Sequence, residues 1–122
     1  TYAKMPYDRD ILVRLIVKKE KAAFDYQSVR NSQTDFPVLT CAAAKTEAGY
    51  RFSIGARPGK AVLFELADAD IQAADVENMA ENAAKCVKEQ VETGSNTRGS
   101  AEYRKHLAGV LVRRAVCKLA GK

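Results

Sequence analysis

One stretch constrains the fold of this chain more than any other: residues 96–115, Asn-Thr-Arg-Gly-Ser-Ala-Glu-Tyr-Arg-Lys-His-Leu-Ala-Gly-Val-Leu-Val-Arg-Arg-Ala. Ser100 follows a glycine and suits a helix N-cap, because its hydroxyl can accept a hydrogen bond from a backbone N–H two or three residues later. Glu102 then falls in the first turn, where the helix dipole favours a carboxylate. The sequence therefore predicts a helix that begins directly after Ser100.

This predicted helix is amphipathic. Apolar residues recur along one arc at three- and four-residue spacing, which is typical of a helix that packs on a core. They are Leu107, Ala108, Leu111, Val112, Ala115 and Leu119. Arg104, Arg114 and Lys118 fall at the margins of the arc, where we expect their charges to reach water or a partner. The rest of the chain should supply the surface on which the apolar arc packs.

Three strands are predicted before the helices. Residues 10–19 alternate between two faces and are rich in β-branched side chains. Residues 35–46 and the alternating residues 50–54 form a hairpin around a turn that contains Gly49. Residues 22–26 are interpreted as a helical turn and residues 27–34 as a loop, and the length of this connection makes it a candidate site.

The remaining segments complete one α+β domain. Residues 61–65 fit a strand extension or a short helical turn equally well, and a second helix is predicted to start at Val76 behind the cap Asp75. Strands followed by helices favour a three-stranded antiparallel sheet packed against two to three helices. We expect this single domain to occupy residues 10–122, after an N-terminal linker or arm at residues 1–9.

Composition places the chain among ordinary globular domains and excludes several classes. Its 122 residues are 47% hydrophobic and 29% charged, with 20 basic and 15 acidic side chains and a net charge of +5. The basic residues are scattered outside the last helix, so nucleic-acid binding is not expected. No apolar run approaches the ~20 residues of a membrane span. Three widely spaced cysteines without a signal peptide suggest reduced thiols and a cytoplasmic protein.

The sequence offers little for catalysis. Its single histidine, His106, lies about 16 Å along the predicted helix from Cys117, and no ligand-spaced pair predicts a metal site. Residues 55–60 resemble a phosphate-binding loop, but the glycine spacing is one residue short and Ala61 replaces the required Ser or Thr. A turn is the better interpretation of that segment.

The start of the last helix is a candidate anion site, because helix N-termini attract anions. The residues concerned are Asn96, Arg98, Ser100, Tyr103 and Arg104. A structural role is the alternative: Arg98 would bond loop carbonyls, and Tyr103 would pack its ring with the hydroxyl at the surface.

The motif Asn-x-Arg-Gly-Ser-Ala-Glu-Tyr-Arg, followed by Leu-Ala-x-Val-Leu-Val-Arg-Arg-Ala, resembles the carboxyl-terminal end of the FAD-binding subunit of molybdenum hydroxylases, the xanthine dehydrogenase and carbon monoxide dehydrogenase family. Residues 26–44, with Arg30 and Asp35-Phe36, and the turn Gly-Ala-Arg-Pro at residues 55–58 resemble it too. Asn96 stands where this family usually has an aspartate.

The resemblance implies an accessory domain beside a separate, N-terminal FAD-binding domain that holds most of the cofactor. In such enzymes electrons pass from a molybdenum centre through iron–sulfur clusters to FAD, and on to NAD or another acceptor. The domain would contact the iron–sulfur and molybdenum subunits, and its first interstrand loop would face the flavin. Carried over by position, that loop holds Arg30, Asn31, Ser32 and Asp35.

By this resemblance the 122 residues alone are expected neither to catalyse a reaction nor to bind FAD tightly, and to hold no metal. The alternative class is a small basic α+β interaction module that docks an acidic protein or nucleic acid. Such a module would show steep salt dependence of nucleic-acid binding.

Overall fold

The computed structural model describes residues 11, 13–17, 19 and 21–121. Within these residues the elements are β1 (Ala23–Val29), β2 (Leu39–Thr46), β3 (Gly49–Gly55), β4 (Val62–Leu66), α1 (Asp68–Ile71), α2 (Val76–Gln90) and α3 (Ala101–Leu119). The strands form one antiparallel sheet in the order β1-β2-β3-β4. α2 and α3 pack on each other, and α3 crosses β1 and β2. The predicted α+β class is confirmed, but the sheet has four strands where three were predicted.

The predicted first strand is wrong for the described part of residues 10–19. Residues 11, 13–17 and 19 belong to no strand, and their apolar side chains are exposed. Residues 10, 12 and 18, like the linker predicted at residues 1–9, lie outside the described residues. The sheet begins instead at β1, in a segment whose first part was interpreted as a helical turn.

The sequence interpretation missed β1 because a charged side chain lies on its buried face and aromatic side chains lie on its exposed face. Side chains alternate between the two faces of a strand, and in β1 Asp25 points inward while Phe24 and Tyr26 are 69% and 61% exposed. The Asp25 carboxylate accepts hydrogen bonds from Lys118 Nζ at 2.5 Å and from Gln27 Nε2 at 2.7 Å. A partner on α3, 93 residues away, therefore lets a carboxylate occupy the inner face.

The hairpin of β2 and β3 is confirmed, but β2 begins at Leu39, and residues 35–38 of the predicted strand belong to the preceding loop. Residues 62–66, where the sequence left two possibilities open, form β4. Gly49 supplies the predicted turn with a φ of +133°. A Cβ atom there would lie 2.3 Å from the Leu66 carbonyl oxygen, so the end of β4 lies too close to position 49 for any side chain. Glycine is required at this position for both conformation and space.

Both long helices begin directly after the predicted N-cap residues, α2 after Asp75 and α3 after Ser100. The Asp75 side chain accepts from the Asn78 N–H at 2.8 Å, and the Ser100 hydroxyl accepts from the Tyr103 N–H at 3.1 Å. The apolar arc of α3 is buried against the inner face of the sheet and α2, with Leu119 partly buried at its end. Among the described residues no helix is long and apolar enough to cross a membrane.

Candidate functional site

The loop between α2 and α3 folds into a tight turn around Asn96. The backbone N–H and carbonyl of Asn96 pair with those of Gly99 at 3.1 and 3.2 Å, and its side-chain oxygen accepts from the Arg98 N–H at 3.0 Å. Ser95 Oγ then accepts from the Ala101 N–H at 2.9 Å, beside the Ser100 cap. The short side chains of Asn96 and Ser95 thus accept hydrogen bonds from backbone N–H groups at the start of α3 and in the loop before it.

Arg104 is fully buried, which corrects the expectation that it lies at the margin of the helix. Nε donates to the Val38 carbonyl at 2.9 Å, and Nη1 donates to the Gly94 and Gly99 carbonyls at 2.7 and 2.5 Å. Nη2 donates to Asn96 Oδ1 at 2.6 Å. The guanidinium therefore has a structural role: its hydrogen bonds join the α2–α3 loop to the residue that precedes β2.

The loop between β1 and β2, residues 30–38, closes on itself in a similar way. The Asp35 N–H donates to the Ser32 carbonyl at 3.2 Å, and Arg30 Nη1 donates to the Asp35 carbonyl at 2.5 Å. The Val38 N–H donates to the Val29 carbonyl at 2.7 Å and closes the base of the loop. The side chains of Arg30, Asn31 and Ser32 remain exposed at its tip.

These two loops meet, so the structure brings together the two groups of site residues that the sequence singled out separately. Arg98 Nε lies 3.1 Å from Asp35 Oδ1, and Asn31 Nδ2 donates to the Arg98 carbonyl at 3.1 Å. The Arg98 guanidinium also lies over the ring of Phe36, 5.2 Å from its centroid. The Arg98 side chain thus makes structural contacts with a carboxylate and a ring, and it is Arg104 that bonds the loop carbonyls.

Hydrogen bonds from the Phe36 N–H and Arg98 favour the ionised form of Asp35, whereas burial works against the charge of Arg104. The Phe36 N–H, at 2.7 Å from Asp35 Oδ1, and then the Arg98 guanidinium lower the pKa of Asp35. Burial, and to a smaller extent the charge of Arg98, lowers the pKa of Arg104. The β1–β2 loop (residues 30–38) and the α2–α3 loop (residues 91–100) thus form a junction, with Arg30 at its exposed tip and the Asp35–Arg98 ion pair at its centre.

The junction contains no catalytic set. His106 is exposed on α3, and burial raises the pKa of the Cys41 thiol to about 12, which keeps it protonated and unreactive. Among the described residues no group of three His, Cys, Asp or Glu side chains is placed to hold a metal. Tyr103 is 45% exposed beside Gly99.

Two features of the region escaped the sequence interpretation. Phe36 is 74% exposed and lies under the Arg98 guanidinium, a contact between distant parts of the chain that no local pattern predicts. Arg104 had a usable signal: it precedes Leu107, Ala108 and Leu111 at three-, four- and seven-residue spacing, which puts it in line with the buried arc.

Comparison with known protein families identifies one family whose profile matches this domain. The profile of the family described as CO dehydrogenase flavoprotein C-terminal domain matches residues 24–119. This match favours a flavoprotein domain over the small basic interaction module. A comparison with curated proteins finds no match.

Several solved structures share this fold. Quinoline 2-oxidoreductase from Pseudomonas putida 86 matches with a TM-score of 0.71 and 21% identity over 83% of this chain. Carbon monoxide dehydrogenase from Hydrogenophaga pseudoflava matches with a TM-score of 0.69 and 21% identity over 84%, and a Cu,Mo-CO dehydrogenase with 0.64 and 20% over 84%. In each case this chain spans 38% of the matched chain.

Proposed function

Because this chain belongs to the family of CO dehydrogenase flavoprotein C-terminal domains, we propose that it covers the flavin of a xanthine dehydrogenase-like molybdenum hydroxylase. In this proposal a separate FAD-binding domain holds most of the cofactor. The chain acts as a non-catalytic lobe in the cytoplasm and contacts the iron–sulfur and molybdenum subunits. Electrons from the molybdenum centre reach FAD through the clusters and leave to NAD or another acceptor.

The observation that carries the proposal is the Arg98–Asp35 contact between the two loops, at 3.1 Å. It fixes the β1–β2 loop, whose Arg30, Asn31, Ser32 and Asp35 are the residues that the family resemblance assigns to the flavin. A loop held by a second loop can present its side chains in one geometry, which lowers the entropic cost of contact with a cofactor.

The residues of the loop fit a flavin. When bound, FAD accepts and passes on electrons, and its reduced ring carries negative charge that a nearby cation stabilises. Arg30 is the exposed cation at the loop tip, whereas Asp35 is already paired with Arg98. Asn31 Nδ2 is engaged with the Arg98 carbonyl, which leaves its amide oxygen as an acceptor. Arg30 is therefore the residue to which we assign the electrostatic contact.

The first test is a titration of the 122-residue chain with FAD, followed by flavin fluorescence. No saturable binding at micromolar FAD is expected, since the chain would cover the cofactor and not hold it. Micromolar affinity of the isolated chain would overturn the proposal.

The second test adds the chain to an FAD-loaded probe. The probe is the matched Hydrogenophaga pseudoflava chain, expressed without the part that corresponds to this protein. The chain should change the flavin absorption spectrum, and Arg30→Ala should weaken that change, whereas the exposed control Arg114→Ala should not. An unchanged spectrum, or equal effects of the two variants, contradicts the assignment.

A further inference from the structure

One face of the sheet has no covering layer within the described residues. α2 and α3 cover the inner face, and the outer face is open around a shallow cleft of about 540 Å³. Phe24, Tyr26 and Leu63 rise from it with 69%, 61% and 58% exposure. Apolar side chains this exposed, gathered on one face, mark a contact surface more often than a free one.

The chemistry of this outer sheet face fits another protein. Alanines 42 and 44 and Ser53 lie between the large side chains in adjacent strands, so a partner can approach the sheet closely. The charged pair on this face, Arg51 and Glu65, is closed at 2.8 Å and leaves little net charge. An apolar surface of neutral charge favours a polypeptide partner over nucleic acid or a small anion.

The N-terminal side of the domain shares this character. Ile11, Val13, Leu15, Ile16 and Val17 are 75–88% exposed. They precede Ala22, which lines the cleft, and β1, which carries Phe24 and Tyr26. Exposed apolar side chains therefore both precede β1 in the sequence and lie on the outer sheet face.

From these observations we infer that the outer sheet face is the docking surface for the FAD-binding domain, through Phe24, Tyr26 and Leu63. The inference rests on the proposed function for the identity of the partner. Its support is that the family is described as a C-terminal domain and that the matched chains are longer, with 38% of each covered. Relatives thus carry further polypeptide before this domain, ahead of β1, whose Phe24 and Tyr26 lie on the outer face.

Binding of the 122-residue chain to the truncated Hydrogenophaga pseudoflava chain, in its FAD-free form, tests the inference. Leu63→Glu should weaken binding by about tenfold or more, because it places a charge in the apolar contact. Phe24→Glu is the second variant, and Lys85→Glu on the exposed side of α2 is the matched control. Thermal unfolding checks that each variant is folded; Leu63 is opposite Ser53 on an exposed face, so a glutamate should be accommodated.

Several outcomes would overturn the docking surface: no binding of the probe, equal affinities for Leu63→Glu and Lys85→Glu, or a steep loss of binding with salt. Sedimentation measures whether the chain forms a dimer. If it does, and if Leu63→Glu abolishes the dimer, the face binds a second copy of the chain and the docking surface for the FAD-binding domain is overturned. The flavin spectrum separates this inference from the proposed function. If Leu63→Glu weakens binding while the flavin spectrum does not respond to the chain, the docking surface stands and the flavin cover fails.

Discussion

Nη2 of Arg104 donates to Oδ1 of Asn96 at 2.6 Å, in the interior of the junction between the β1–β2 and α2–α3 loops. The other acceptors of this guanidinium are the carbonyls of Val38, Gly94 and Gly99. A buried positive charge is thus stabilised by the dipoles of neutral groups. Substitutions of Arg104 and Asn96 therefore test how much this hydrogen bond contributes to stability.

Replacing Arg104 with methionine should destabilise the domain by about 3 to 5 kcal/mol. The apolar side chain has a similar length but removes the guanidinium donor from three carbonyls and an amide oxygen in a buried site. The Gly99 carbonyl and Asn96 Oδ1 each keep one other donor. Urea unfolding followed by circular dichroism measures the loss. Arg114→Met, at an exposed position of the same helix, should change stability by less than about 0.5 kcal/mol. Equal effects of the two variants would contradict the structural role of Arg104.

Asn96→Asp should stabilise the domain by about 1 kcal/mol at neutral pH. The new carboxylate would accept the same hydrogen bonds from Arg104 and the Arg98 N–H, now with opposite charge across the contact. The folded pKa of this aspartate would be depressed below the unfolded value of about 3.9, so the gain exists above that pH and disappears as the pH falls through the folded pKa. Unfolding of both proteins across pH measures it; a less stable variant at pH 7 would refute the prediction.

Two glycines with nearly equal φ separate backbone strain from steric clash. Gly49 and Gly59 have φ of +133° and +132°, but an added Cβ meets Leu66 and Ala67 at Gly49 and nothing within 4 Å at Gly59. Gly59→Ala should cost about 1 kcal/mol from conformation alone. Gly49→Ala should cost about 3 kcal/mol or more, because the β4 end must also move. Similar unfolding free energies for the two variants would show that the turn relaxes without cost.

The Asp25–Lys118 pair should make stability depend on pH. The hydrogen bond from Lys118 lowers the pKa of Asp25 more than burial raises it, and the bond from Gln27 lowers it further. Because the folded pKa lies below the unfolded value, the stabilisation is present above about pH 3.9 and is lost as the pH falls through the folded pKa. This loss is measured by urea midpoints between about pH 2 and pH 7.

Lys118→Met removes the main cause that lowers the Asp25 pKa and leaves burial, which raises it. The variant should be about 1 to 3 kcal/mol less stable at neutral pH, and its pH dependence should begin at higher pH. Lys85→Met, on the exposed face of α2, serves as the control. A pH profile of Lys118→Met that overlays that of the unmodified chain would remove Lys118 as the partner of Asp25.

Local sequence was sufficient where the deciding interaction spans a few residues. Asp75 and Ser100 each bond an N–H three positions later, so both helix starts were predictable. The β2–β3 hairpin depends on one turn and on alternation over residues 50–54. The recognised motif likewise lies within twenty consecutive residues, and the family match covers it.

Only the tertiary structure decided which residues of β1 are buried and what Arg104 does. The amino-acid sequence by itself determined the helix starts, the hairpin and the apolar arc of α3, because hydrogen bonds and side-chain periodicity fix these locally. Asp25 is buried since Lys118 reaches it from 93 residues away, and Asp35 meets Arg98 across 63. Such contacts allow polar side chains to be buried, and they form only when α3 and the loop before it pack against the sheet and the β1–β2 loop.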